Sequence, residues 1–357
     1  MVGRTHPAAN GQAVTRRELL RVTLGATAAL AGGGLLEACA PSPTTQAAPA
    51  TLPPPETTTL RIVNPAACDP GLALAGDYLR EEGFTDVHYI DTNFVERGWL
   101  LNRQADVAQA HPEFIVTSLD AGLPMMLLAG LHSGCLEVWA RPDIRGITEL
   151  RGKRIAVRRA DTSDQFYAFF ATLLGYIGID PLKDVQFLSF GNGPDMRKAF
   201  IEGRADAVLN GASAGPAFRR LPTSPGHVIL SNLTDKPWSQ YNCCTLVAHR
   251  DWARQNPIAT KRVTRALLRA TDRAARDQAR AAHDAVSFGP DFADESLIRE
   301  TMDMCTYDWR DLDPEETLRF YALRLADVKL ITKTPQQLIA EGTDLAYMRQ
   351  LRKELPL

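Results

Sequence analysis

Gly211-Ala212-Ser213-Ala214-Gly215 fits the G-x-S-x-G pattern of a nucleophile elbow, in which a serine sits on a sharp turn between a strand and a helix. A serine nucleophile needs a base and an acid that orients the base, and Asp235 and His249 follow in the required chain order. No HGGG-type segment is present to supply an oxyanion hole. Small residues after a strand also suit a cleft whose backbone a ligand must approach. Hydrolysis and simple binding therefore both remain open at this stretch.

Other polar residues stand where apolar runs end. Asn64 and Asp69 follow "LRIV", and His111 and Glu113 follow "ADVAQA". His132 precedes "CLEVWA", and Asn210 closes "ADAVLN". Asp161-Thr162-Ser163-Asp164 lies where a strand gives way to a helix. A helix N-terminus carries about half a positive charge and can hold an anionic group. The same residues also make an ordinary N-cap through Ser163 or Asp164. Two aspartates repel an anion, which favours a neutral, cationic or zwitterionic ligand. Trp238 and Tyr241 flank a returning strand as a pocket wall or as core packing.

The cysteines are Cys39, Cys68, Cys135, Cys243, Cys244 and Cys305. Without Cys39 the count is odd, with no C-x-x-C spacing, which argues against a disulfide scaffold and a structural zinc site. Cys243 and Cys244 are expected as buried thiols on a strand. Neither metal nor cofactor is expected.

These residues need elements to position them. From Leu60, short apolar runs alternate with helical stretches at 72–82, 93–103 and 111–121, the pattern of α/β units with a mostly parallel sheet. A second series opens at "KRIAVRR", with helices at 164–177 and 194–203. "NRQADVAQA" at 102–110 and "EGRADAVLN" at 202–210 echo each other as helix end, turn, Ala-Asp pair and strand. Two similar lobes are expected, with ligands bound between them at the carboxyl ends of strands. From Asn256 the chain reads as helical, with starts at Asp313 and Thr334 marked by a following proline. Arg262, Arg265, Arg269, Arg273, Arg276 and Arg280 form one helical stripe. It reads as a solvated face or as a dock for an acidic permease surface or anionic lipid.

The net charge of −2, with 45% apolar and 23% charged residues, is ordinary for a globular chain and gives no drive toward nucleic acid. Thr15-Arg16-Arg17-Glu18-Leu19-Leu20 has the form of a bacterial twin-arginine signal. The uncharged run from Val22 to Leu36 is 15 residues long, short of the roughly 20 that span a bilayer. Leu36-Glu37-Ala38-Cys39 resembles a lipobox, making Cys39 the expected lipidated residue, although Glu37 stands where small or apolar residues are usual. Pro-rich residues 40–59 read as an extended tether.

"LRGKRIAVRRADTSDQFY" at 150–167, "EGRADAVLNG" at 202–211 and "RDWARQNPIATKRVTRALLRATDRA" at 250–274 resemble the solute-binding proteins of ABC importers. The group is the nitrate/sulfonate/taurine one, with its relatives that bind thiamine-precursor pyrimidines. The resemblance covers Leu60 to Leu357. It implies an α/β, two-lobed periplasmic-binding-protein fold with a hinge and a helical C-terminal region. It also implies a monomeric, non-enzymatic receptor that delivers a small ligand to a permease from the periplasm or the outer face of the cytoplasmic membrane. The implied division is 1–39 signal, 40–59 tether, 60–143 plus 246–357 first lobe and 144–245 second lobe. Fungal pyrimidine-forming members carry a cysteine-rich segment that only Cys243-Cys244 echoes here.

Overall fold

The computed structural model of the chain describes residues 53–91, 97–211, 214–289 and 292–355, all within the compact unit Leu52–Leu357. The signal, Cys39, tether residues 40–52 and Ser213 lie outside the described residues. Tether residues 53–59 are not free. The Glu56 carboxylate accepts from the Ile258 and Ala259 backbone N–H groups at 2.9 and 2.8 Å, capping the helix Pro257–Arg276, and Thr59 already opens a strand.

The apolar runs form β1 (Thr59–Val63), β2 (Asp86–Ile90), β3 (Val107–Ala110), β4 (Met125–Gly134), β5 (Leu136–Ala140) and β6 (Arg154–Val157). They continue with β7 (Gln186–Ser189), β8 (Ala207–Gly211), β9 (His227–Ser231), β10 (Cys244–His249) and β11 (Cys305–Thr306). Two sheets result, ordered β11-β4-β10-β3-β1-β2 and β7-β6-β8-β5-β9. Strands that alternate with helices run parallel, β1 with β2 and β3, β6 with β7 and β8. β10 in the first sheet and β5 in the second are antiparallel to both neighbours, as is β4 between β10 and β11.

β10 and β5 are each reached immediately after the chain crosses from the other sheet. The first crossing is Gly134-Cys135 and the second runs from β9 into β10. The lobe boundary expected at 143 therefore falls earlier, because β5 pairs with β8 and β9. Gly134 (φ +86) and Cys135 (φ +80) are both left-handed, and a side chain at Gly134 would strike the Met304 carbonyl.

The two echoing Ala-Asp pairs do the same work in each lobe. Asp106 Oδ2 accepts from the Arg61 backbone N–H at 2.8 Å and from Nε at 3.2 Å, while Oδ1 accepts from Nη2 at 2.6 Å. Asp206 holds Arg154 through the equivalent atoms at 2.8, 3.1 and 2.7 Å. Each aspartate thereby pins the first parallel strand of its lobe to the start of the third.

The helix Pro112–Asp120 of the first lobe packs on Gln165–Tyr176 of the second, and Pro314–Asp327 packs on both. One apolar core, including Leu127, Val138, Phe169, Leu246 and Leu318, runs through both lobes, which are closed on each other. The helix starts expected at Asp313 and Thr334 are present, the first as a side-chain cap and the second as a capping box. The arginine stripe is neither solvated nor free for docking along its first half. Arg265 reaches both oxygens of buried Glu82 at 2.6 Å, Arg262 also reaches Glu82, and Arg269 meets Glu81 at 2.8 Å. That face packs on the helix Gly76–Glu81.

Asp106 is 4% exposed and Asp206 is 20% exposed. Asp106→Asn is therefore predicted to cost about 2 kcal/mol in urea unfolding, and Asp206→Asn less. Equal, negligible losses would contradict the pinning role.

Candidate functional site

The loop after β1, the end of β3, the end of β4 and the start of β10 converge at the two crossings. Gln109, the penultimate residue of β3, sits among them. Its Oε1 accepts from the Ala66 N–H at 3.0 Å, and its Nε2 bonds Asp69 and lies 3.3 Å from Cys68 Sγ and 2.9 Å from Cys244 Sγ. Asp69 Oδ2 also lies 3.1 Å from His132 Nε2, and His132 Nδ1 faces the Ser133 carbonyl at 3.1 Å. Tyr307 closes the group, donating to the Cys68 carbonyl at 2.6 Å with its ring 5.4 Å from His132.

Asp69 and His132 are 1% and 0% exposed. Burial works against charge on the imidazole, but the adjacent Asp69 carboxylate outweighs it and pushes His132 up to about 9. His111, capping the helix Pro112–Asp120 by position alone, is shifted the other way by burial and stays neutral. Glu113, in the first turn of that helix, is 1% exposed. Burial pushes its carboxyl up to about 8, so it is protonated at neutral pH. His111 Nδ1 lies 3.6 Å from Glu113 Oε1, and neither Glu113 oxygen makes a hydrogen bond.

From the second lobe, Asn210 on β8 pairs opposite Glu137 of β5, beside the first crossing. Its side chain is fully buried, and both its amide oxygen and its nitrogen lack a partner, as does Asp69 Oδ1. Unpaired buried groups from both lobes thus collect around the crossings.

The remaining expected residues divide. Asp164 is the N-cap of the helix Gln165–Tyr176, accepting from the Phe166 N–H at 2.9 Å and from Arg158 at 2.8 Å. Ser163 gives its backbone N–H to Asp161 at 2.8 Å and its hydroxyl to the same carboxylate. That turn satisfies much of its own donor set. The Thr162 carbonyl accepts from Arg97 Nη2 at 2.8 Å, a bond that spans the two lobes. Asn64 is half-buried and gives its backbone N–H to the Ile90 carbonyl at 3.0 Å. Trp238 packs edge-on against Tyr176 at 5.2 Å, and Tyr241 stacks on Phe320 at 4.2 Å, so both rings have packing partners of their own.

The base and acid of the hydrolase reading are not brought together. His249 closes β10 opposite Met125, at the end away from the crossing, where Asp251 and Asp106 act on it. The Asp235 carboxylate accepts from the Ser231 N–H at 2.7 Å. Residues that sequence reasoning passed over are Gln109, Cys68, Cys135, Arg97 and Tyr307. Gln109 carried a weak signal as a polar residue inside an apolar strand. The cysteines carried none, because their partners come from distant segments.

Residues 72–281, more than half of the chain, match the family model described as NMT1/THI5 like, so the chain belongs to that family. Among solved structures it is similar to the periplasmic nitrate-binding protein NrtA from Synechocystis PCC 6803, at 14% identity and a TM-score of 0.68, with 84% of this chain and 90% of that one covered. It is similar to the alkanesulfonate-binding protein SsuA from Xanthomonas axonopodis pv. citri, at 15% identity and a TM-score of 0.64, covering 81% and 99%. The periplasmic aliphatic sulphonate binding protein SsuA from Escherichia coli matches at 15% identity and 0.59, covering 79% and 91%. These matches show a shared two-lobed periplasmic-binding-protein fold. No curated protein matches. No helix among the described residues is long and apolar enough to cross a membrane.

Glu113 in the folded protein holds a proton up to about pH 8, against an ordinary value of 4.5. The unfolded chain releases that proton earlier, so this group makes stability fall as pH rises between the two values. Thermal unfolding from pH 5 to 8 is predicted to show that decline, flattened in Glu113→Gln. An identical slope in the variant would contradict a buried neutral carboxyl.

Proposed function

We propose that the protein is the solute-binding receptor of an ABC importer. Its two lobes close over a small organic nitrogen- or sulfur-containing solute, which is then presented to a membrane permease. The observation that carries this reading is the set of buried, unpaired polar atoms contributed by both lobes, Asn210 from the second and Glu113 and Asp69 from the first. Each such group costs about 1–3 kcal/mol while unpaired. A solute that bonds to both lobes removes that cost only in the closed form, so it shifts the population toward closure.

His111, Glu113 and Asn210 are the proposed contacts, with Thr162 and Ser163 contributing where the solute displaces the turn's internal bonds. The neighbouring structures are those of nitrate- and sulfonate-binding proteins. Here Glu113 is a neutral donor, so it offers a solute acceptor a proton without adding a buried negative charge. Export by the twin-arginine route, lipidation at Cys39 and a tether over the remaining linker complete the reading, resting on residues 15–52. The receptor acts as a monomer and performs no chemistry on its solute.

Isothermal titration calorimetry against sulfonates, nitrate, amines and pyrimidines is expected to give saturable binding to at least one class. Asn210→Ala should weaken it at least about tenfold, and Ser213→Ala should leave it unchanged. Silence across all four classes would contradict the receptor. Ester turnover abolished by Ser213→Ala would favour the hydrolase instead.

A further inference from the structure

We propose that Cys68, Cys135, Cys244 and His132 form a binding site for a thiophilic metal ion, Zn(II) or Cu(I), seated between the two crossings. Their ligand atoms all lie within 4.8 Å of one another. None of the four residues is more than 1% exposed. A tetrahedral ion with metal–sulfur bonds of about 2.3 Å and metal–nitrogen bonds of about 2.0 Å sets its ligand atoms about 3.3–3.8 Å apart. Small side-chain adjustments reach that geometry from the observed one.

A second quartet, His111, Cys135, Cys243 and Cys244, shares two of the thiols. Its spacings fall on either side of those of such an ion. Cys135 Sγ lies 3.2 Å from Cys243 Sγ, and the His111 ring nitrogens lie 3.8 and 3.9 Å from Cys243 and Cys244. The first quartet is favoured because all its members are dry and because Asp69 already holds His132 Nε2, the carboxylate–histidine pairing that orients metal-bound imidazoles; the ion would take Nδ1, displacing its proton and its contact with the Ser133 carbonyl. His111 is partly exposed. Cys135 and Cys244 serve either arrangement.

Three thiolates and an imidazole suit Zn(II) or Cu(I) and exclude magnesium, calcium and manganese. The ion would tie the loop after β1 to both crossings and so brace the hinge. Binding displaces thiol protons into solvent, so affinity rises with pH. The inference does not depend on the importer reading.

The test loads the reduced full chain with zinc or Cu(I), removes free ion and measures metal by mass spectrometry. Cobalt(II) serves as a spectroscopic stand-in. Expected are about one equivalent per chain, preference for one ion in direct competition, and the cobalt–thiolate charge-transfer and visible bands of a tetrahedral site. Cys135→Ser and Cys244→Ser should each lower metal affinity at least about tenfold, whereas Cys305→Ser, outside both quartets, should retain it. Three results would overturn the site: wild-type protein without cobalt–thiolate bands, a Cys135–Cys243 disulfide in protein purified under native conditions, or an equal loss in Cys305→Ser. The wild-type cobalt spectrum decides even where a variant misfolds.

Discussion

The rest of the structure depends on the double crossing between two sheets. Because β5 leaves β4 through only Gly134 and Cys135, the lobes are joined with almost no slack at one point, and the return into β10 lies beside it. Each sheet completes itself with a strand delivered by the other lobe. The crossings are therefore enclosed by both cores, and most polar groups placed there are removed from water. Such groups are costly unless a partner satisfies them.

The charges at the crossings are arranged to survive burial. Asp69 and His132 neutralise each other, Glu113 stays protonated, and His111 stays neutral. Arg97 carries its charge across the cleft mouth to the Thr162 carbonyl, with Asp161 nearby. A closed form held by this bond and by the helix contacts behind it needs few further interactions to dominate. That is the energetic setting in which a small solute can set the balance between two conformations.

Much of the fold was legible in the sequence, because alternating apolar runs and helical stretches report α/β units whatever their partners are. The Ala-Asp echo was legible as a repeat, and its cause is the matching grip of Asp106 on Arg61 and Asp206 on Arg154. Helix starts at Asp313 and Thr334 were legible because caps are local. Sheet membership was not: "CLEVWA" states a buried strand without stating which neighbours it takes, so the lobe boundary was set too late. The arginine stripe was misread because Glu81 and Glu82 lie far away in the chain. The thiol cluster was hidden for the same reason, its members coming from separate segments with no local spacing to betray them. The placement of His111, Glu113, His132, Asp69 and Asn210 near strand ends was legible because apolar runs mark where strands stop. Whether Trp238 and Tyr241 form a pocket wall or pack was not legible until Tyr176 and Phe320 were seen against them.

Two lobes hinged at a dry double crossing, closing on a guest held by both, is the central claim. Small-angle X-ray scattering on the protein, free and then saturated with a solute that calorimetry has shown to bind, tests it most directly. The radius of gyration should fall on saturation as an open population closes. Equal radii in the two states would contradict a hinged clamp.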